Sequence, residues 1–149
     1  MTLFLVLDEN IIMLAAKVKD DSDNDDPTCS ILLGDIYKKK DILKCSDELY
    51  NNYLRILKEL ERTIPSSVYT RKMLMNLIAS DQIEFEPYIP VLSEENQLPP
   101  DDIYIVRLVV RTRSNLVSTD NGLRNSMESA NIMSKYDVSF MKPHEVYPN

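Results

Sequence analysis

Residues 102–120 read DIYIVRLVVRTRSNLVSTD. Pro99-Pro100-Asp101-Asp102 is a helix start, and the apolar run behind it reads as a helix with Asp102 in its first turn. A tight turn at Arg113–Ser114 then leads into Asn115–Thr119, a β-branched strand that ends on Asp120. Helix, short turn and strand in direct succession are the unit from which α/β sheets are built.

The same alternation extends in both directions. Upstream, residues 3–7 form a short apolar run, a buried strand, and residues 10–18 have helical composition. Residues 19–27 are a charged loop. Residues 28–40 form a helix with Thr28 as its N-cap just after Pro27, closed by three lysines. Ile42, Leu43 and Cys45 mark a second strand. Ser46 caps a helix whose apolar stripe is Leu49, Tyr53, Ile56, Leu57 and Leu60. Residues 67–80 are another helix, and 83–92 hold short strand-like pieces around Pro87 and Pro90. Downstream, 121–130 are helical and 137–141 form a last strand. The expected fold is a single α/β domain over residues 1–149, a three-layer sandwich with a central, mostly parallel sheet flanked by helices.

Composition narrows the function. The chain has 149 residues, of which 44% are hydrophobic, enough for one core. Gly34 and Gly122 are its two glycines, so glycine-rich phosphate loops are excluded. The formal charge of −7 argues against binding nucleic acid by general phosphate neutralisation; a bound cation would have to supply the positive charge. Cys29 and Cys45 have no partner motif and read as reduced core thiols of a cytoplasmic protein. The start has no basic segment, Asp8 and Glu9 interrupt its apolar run, and no stretch is long enough to span a membrane. His144, the single histidine, is the one residue on which a histidine-dependent triad could rest.

In a parallel sheet, ligands bind beyond the carboxyl ends of the strands. Asp8 follows the strand 3–7 immediately, Asp120 follows the strand 115–119 immediately, and Asp102 opens the helix that feeds that strand. Carboxylates brought together repel, so one protonates or a cation settles among them. Hard divalent cations take oxygen ligands and can orient a phosphodiester and activate water. Read separately, Asp8 and Asp120 cap the helices that follow them and Asp102 is an acid of a first helical turn.

Taken in order, these pieces resemble a PIN domain, the metal-dependent ribonuclease fold of the toxins in VapBC toxin–antitoxin pairs. Leu5-Val6-Leu7-Asp8-Glu9-Asn10 resembles the family's opening strand with its Asp-x-Asn. Cys45-Ser46-Asp47-Glu48-Leu49 and the helix through Leu57 resemble its second strand and helix. Asp102-Ile103-Tyr104-Ile105-Val106 resembles the acid opening its late helix, and Asn115-Leu116-Val117-Ser118-Thr119-Asp120 its strand ending in Ser/Thr-x-Asp. The step of 18 residues from Asp102 to Asp120 is the family's usual spacing, and Val138–Glu145 resembles its closing strand and Pro-x-Glu.

The resemblance implies a Mg²⁺- or Mn²⁺-dependent endoribonuclease with Asp8, Asp102 and Asp120 as catalytic metal ligands. Asn10 and Ser118 would orient those ligands or hold water. A small antitoxin protein and a second copy of the chain, as a homodimer, are the implied partners. Two departures weaken the centre. The family's glutamate in the helix after the second strand falls on Asn52, with Glu48 one turn earlier as a substitute, and a further acid after Asp120 falls on Gly122. Metal dependence in the millimolar range is therefore expected. The alternative is a degenerate PIN domain that binds RNA or protein.

Other features carry less. Asp21-x-Asp23-x-Asp25 begins like a calcium loop but lacks the glycine and the closing acid, so a solvated loop is expected. Tyr104, Arg107 and Arg111 share a face of the late helix, where the two arginines could hold an RNA backbone beside the acids. Lys38–Lys40 end a helix, with RNA contact as the alternative. The seven methionines read as core or subunit contact. A phosphate-accepting receiver domain would need an acidic pair, a third-strand aspartate and a late lysine, a set not found here.

Overall fold

The sheet is built around β1, Phe4–Leu7, in which Leu5, Val6 and Leu7 are all fully buried. A strand apolar on both faces belongs in the middle of a parallel sheet. In the computed structural model, which describes residues 1–148, β1 pairs in parallel with β2 (Ile42–Cys45) on one side and with β4 (Asn115–Val117) on the other. β3 (Ile83–Phe85) extends the sheet beyond β2, and β5 (Ser139–Met141) beyond β4. The order is β3-β2-β1-β4-β5 and all four pairings are parallel. The expected α/β architecture, a central parallel sheet flanked by helices, is the one observed.

The helices are α1 (Glu9–Lys17), α2 (Thr28–Lys39), α3 (Asp47–Leu60), α4 (Val68–Ala79), α5 (Ile103–Thr112), α6 (Asn121–Ser129) and α7 (Ile132–Tyr136). α1 packs on α2, α3 and α4, while α5 lies against β1, β2 and β4. Ser46 caps α3 as expected, its Oγ accepting from Leu49 N at 3.1 Å. Leu49, Tyr53 and Leu57 of the stripe are fully buried, and Ile56 and Leu60 are partly so.

Three details differ from the expectation. Thr28 does not cap α2: it is the first helical residue, Pro27 holds the cap position without a side-chain bond, and Asp26 one residue earlier accepts from both Thr28 N (2.9 Å) and Thr28 Oγ1 (2.5 Å). β4 stops at Val117, two residues early. α7 was not expected, being too short to show a period. The scarcity of glycine has a visible consequence: α1, α2 and α5 end on Val18, Lys40 and Arg113 in the left-handed region that glycine usually fills.

Both thiols are free and buried, and burial pushes Cys29 up to about 11 and Cys45 up to about 12. Among the described residues, no helix is long and apolar enough to cross a membrane.

Candidate functional site

The strand order fixes where a site can form. The chain lays β2 and then β3 outward from β1, and returns to place β4 on the opposite side of β1. Direction reverses between β1 and β4, and the crevice beyond the carboxyl ends at such a reversal is the binding position of open parallel sheets. Asp8 is the first residue after β1, and Ser118, Thr119 and Asp120 follow β4.

Backbone and side-chain bonds lock the two strand ends together. Asp8 N donates to Val117 O at 2.9 Å. Ser118 is fully buried, donates through Oγ to Asp8 Oδ2 at 2.6 Å, and accepts from Asp120 N at 3.1 Å. One hydroxyl therefore joins Asp8 to Asp120, while Ser118 N still donates to Met141 O of β5 at 3.0 Å. Asp120 also caps α6, its Oδ1 accepting from Leu123 N at 3.0 Å. Asp8, although it stands at the N-cap of α1, makes no side-chain cap bond. The capping explanation thus accounts for Asp120 and fails for Asp8.

Asp102 is the last residue of the 3₁₀ turn Pro100–Asp102 and is half-buried. Burial and the charges of Asp8 and Asp120, followed by those of Asp101 and Glu9, push its carboxyl up to about 6. Burial likewise raises Asp8, the Ser118 hydroxyl partly offsets this, and the charges of Glu9 and Asp120 raise it further. Asp102 feels the charges of Asp8 and Asp120, Asp8 feels that of Asp120, and among the described residues no Lys or Arg forms an ion pair with any of the three. They do not close on a common point: among the described residues, no group of three or more His, Cys, Asp or Glu side chains is gathered tightly enough to hold a metal ion.

The neighbouring residues fall into two sets. Asn10 donates through Nδ2 to Thr119 Oγ1 at 3.1 Å, and Thr119 donates to Asp21 Oδ1 at 3.0 Å. Asn10 Oδ1 is buried without a partner, so this amide has acceptor capacity to spare. On α3, the fully buried Tyr53 donates its hydroxyl to Leu7 O and fixes the helix to the end of β1. Asn52 beside it donates to Tyr104 Oη at 3.1 Å and accepts from Arg55 at 3.4 Å, and Tyr104 in turn donates to Glu9 Oε2 at 3.0 Å. Both polar atoms of Asn52 are thereby engaged. Glu48 is exposed and lines, with Glu9, Asn52, Tyr104 and Arg107, an open groove.

The two arginines expected to face RNA are already occupied. Arg107 makes two bonds to Glu95, Nε to Oε2 at 2.7 Å and Nη2 to Oε1 at 2.5 Å. Arg111 lies 3.8 Å from Glu86 and over the ring of Tyr88. Helical spacing puts the arginines on one face, but it does not show that the chain after β3 folds back to supply their acids.

The remaining candidates are structural. Asp20 accepts from Ser22 N and Asn24 N, both at 2.9 Å, and builds the solvated turn expected of that loop. His144 is exposed in the turn Pro143–Glu145. Lys39 and Lys40 lie over Tyr147 and Tyr37. A Cβ at Gly122 would stand 3.2 Å from Asp120 Oδ1, so the missing acid there also leaves room for Asp120. Sequence reading gave no role to Glu9. Its adjacency to Asp8 was the available signal, whereas its bond to Tyr104, 95 residues away, had none.

No model of a known protein family matches the chain, and no curated protein does. Among solved structures, the chain is similar to one from VapBC2 of Rickettsia felis bound to a DNA fragment from their promoter. The identity is 12%, the TM-score is 0.41, and the match covers 94% of this chain and 98% of that one. A likeness of this size assigns no family, and function has to be read from the site.

Proposed function

We propose that the protein is a divalent-metal-dependent endoribonuclease of the PIN type, the toxin of a toxin–antitoxin pair. What supports this reading is that Asp8 and Asp120 stand beyond the strand ends at the topological switch point, share the Ser118 hydroxyl, and raise the Asp102 carboxyl to about 6 through their charges, with no Lys or Arg ion-paired to any of the three among the described residues. The donors fit a hard cation. All are oxygens, their charges are unbalanced, and the neighbouring Asn10 Oδ1 is a buried acceptor without a partner. Mg²⁺ and Mn²⁺ keep several waters, so they do not require the carboxylates to close on one point.

Asp8, Asp102 and Asp120 would hold the ion. Once bound, it supplies a Lewis acid toward a phosphodiester oxygen and lowers the pKa of water. Ser118 holds Asp8 by one oxygen and leaves the other for this task. Asp120 spends one oxygen on the α6 cap and has the second to offer. Asn10, anchored through Thr119, would orient water. A small antitoxin protein and a homodimer partner belong to the same proposal. The groove lined by Ala15, Ala16, Val18, Leu33, Tyr69 and Met73, where Tyr69 and Val18 are exposed, offers apolar surface to a protein.

The test is cleavage of single-stranded RNA with Mg²⁺ or Mn²⁺. We expect activity that a chelator removes and that Asp8→Asn lowers about 100-fold or more. Equal cleavage by both proteins would place the activity elsewhere. A second reading, an RNA- or protein-binding module with an impaired centre, is favoured by the engagement of Asn52 with Tyr104 and of Arg107 with Glu95. Binding of uncleaved RNA or of a protein, with no hydrolysis at any metal concentration, would select it.

A further inference from the structure

The loop between α1 and α2 is closed on itself. Asp20 N donates to Asn24 O and Asp26 N to Val18 O, both at 3.0 Å, and Lys19 pairs with Asp25 at 2.7 Å. The loop reaches the end of β4, where Thr119 donates to Asp21. Here lies a pocket of about 210 Å³, walled by the loop, the start of α2, the residues on either side of Asp120, and the turn after β5. The strand order β2-β1-β4-β5 puts this pocket on one side of Asp8 and Asp120. The open groove of Glu48 and Asn52, on the helix that follows β2, lies on the other.

The lining sorts by chemistry. Leu14, Cys29 and Pro143 are buried and form an apolar floor, in which burial keeps the thiol protonated. Asp21 spends one oxygen on Thr119, and Asp26 spends one on Thr28, so each keeps the other. Asn121 and the half-buried Lys142 line the pocket, and among the described residues neither side chain has a hydrogen-bond or ion-pair partner. A bare phosphate does not suit this interior, because three aspartates would repel it. Nor does a metal ion, since among the described residues no three acids gather tightly enough to hold one. A wholly apolar ligand would strand the free carboxylate oxygens. A flat ring with donors on its edge and one phosphate outside satisfies floor, acceptors and cation together.

We propose that this pocket takes one nucleobase of single-stranded RNA, beside the phosphodiester that lies over the aspartates, and selects bases with an exocyclic amine (adenine, cytosine or guanine) over uracil. Asp21 and Asp26 accept from the amine, the Asn121 amide meets the rest of the edge, and Lys142 holds the neighbouring phosphate. This rests on the reading of the site as a ribonuclease and gives that site a base preference.

The experiment is fluorescence anisotropy of labelled pentanucleotides UUXUU, with each base in turn at X, binding to the full chain. A chelator prevents cutting, and circular dichroism confirms that each variant is folded. The all-uridine RNA should bind about fivefold more weakly than the other three. Asn121→Ala should shrink that difference. Asp21→Asn keeps an oxygen for Thr119 but turns the free acceptor into a donor, and should shift the preference toward uracil. Lys142→Ala should weaken all four RNAs alike, by about threefold, and flatten the salt dependence. Four equal affinities for wild type, no binding of any RNA, or a preference that both Asn121→Ala and Asp21→Asn leave intact would overturn the assignment of the pocket. Cleavage with Mn²⁺, run in parallel, separates the two readings. RNA cut by wild type but bound with no base preference removes the subsite and leaves the nuclease. A preference that Asp21→Asn shifts, with no hydrolysis at any Mn²⁺ concentration, keeps the pocket as a base-binding site and removes the nuclease.

Discussion

Two groups of acids in this protein are treated in opposite ways. Glu94 and Glu95, in the connection between β3 and α5, are fully served. Glu94 accepts from Ser93, Lys135 and Tyr136, and Glu95 from Leu92 N and Arg107. Hydrogen bonds and cations hold both carboxyls down to about 2. Asp8 and Asp102, at the carboxyl end of the sheet, are surrounded by the charges of Glu9, Asp101 and Asp120. Asp8 is answered by the Ser118 hydroxyl and the Glu9 backbone and, among the described residues, by no cation, and burial and those charges push both carboxyls up. The first group ties a long connection to α5 and α7 and contributes stability. The second reduces stability and keeps charge available, which is the expected state of a site that binds something positive. The chain has cations enough to neutralise its centre, with 17 Lys and Arg, yet places Arg107 and Lys135 on the other acids.

The contrast can be broken at its tightest point by Ser118→Ala, which removes the one hydroxyl serving Asp8. Leaving a buried carboxylate without its donor should cost about 2 kcal/mol, read by urea unfolding at pH 7.5. No change would mean that Asp8 is solvated. The next largest effect has the opposite sign. The folded-state pKa of Asp102, about 6, lies above its ordinary 3.8, so the folded protein binds the extra proton. Its carboxyl therefore destabilises the metal-free fold progressively as pH rises from about 4 through 6. After discounting for solvent screening, Asp102→Asn should stabilise the metal-free protein by about 1 kcal/mol at pH 7.5 and leave it unchanged at pH 4. A destabilised variant would show that Asp102 is paired.

The smallest effect sharpens the comparison from the other group. Glu94 has a depressed pKa, so its contribution is present above its ordinary 4.5 and is lost as pH falls toward 2. Glu94→Gln should lower stability at pH 7.5 by less than Ser118→Ala does, since its three donors can regroup around an amide. The gap to wild type should close between pH 4.5 and 2. A gap that persists at pH 2 would assign the loss to packing.

The fold was legible because its strands and helices follow simple periods. The apolar run at 3–7, the Ser46 cap and the helix–turn–strand at 102–120 each depend on near neighbours in sequence. β4 is two residues shorter than its β-branched run: Ser118 N still donates to Met141 O of β5, while the Ser118 and Thr119 hydroxyls bond Asp8 and Asp21, partners that no propensity records. The three aspartates were legible as acids at element ends, and the strand order puts Asp8 and Asp120 at one reversal. Glu9–Tyr104, Arg107–Glu95 and Lys135–Glu94 were not legible. Each is a choice of partner among many charged residues, made by tertiary packing across 95, 12 and 41 residues.

The central claim is that the acids left unpaired beyond β1 and β4 are kept for a divalent cation, and calorimetric titration with Mn²⁺ tests it most directly. Wild type should bind in roughly the millimolar range at pH 7.5 and more weakly at pH 5, where Asp102 holds its proton, and Asp102→Asn should bind at least about tenfold more weakly. Identical traces for the two proteins would contradict the account.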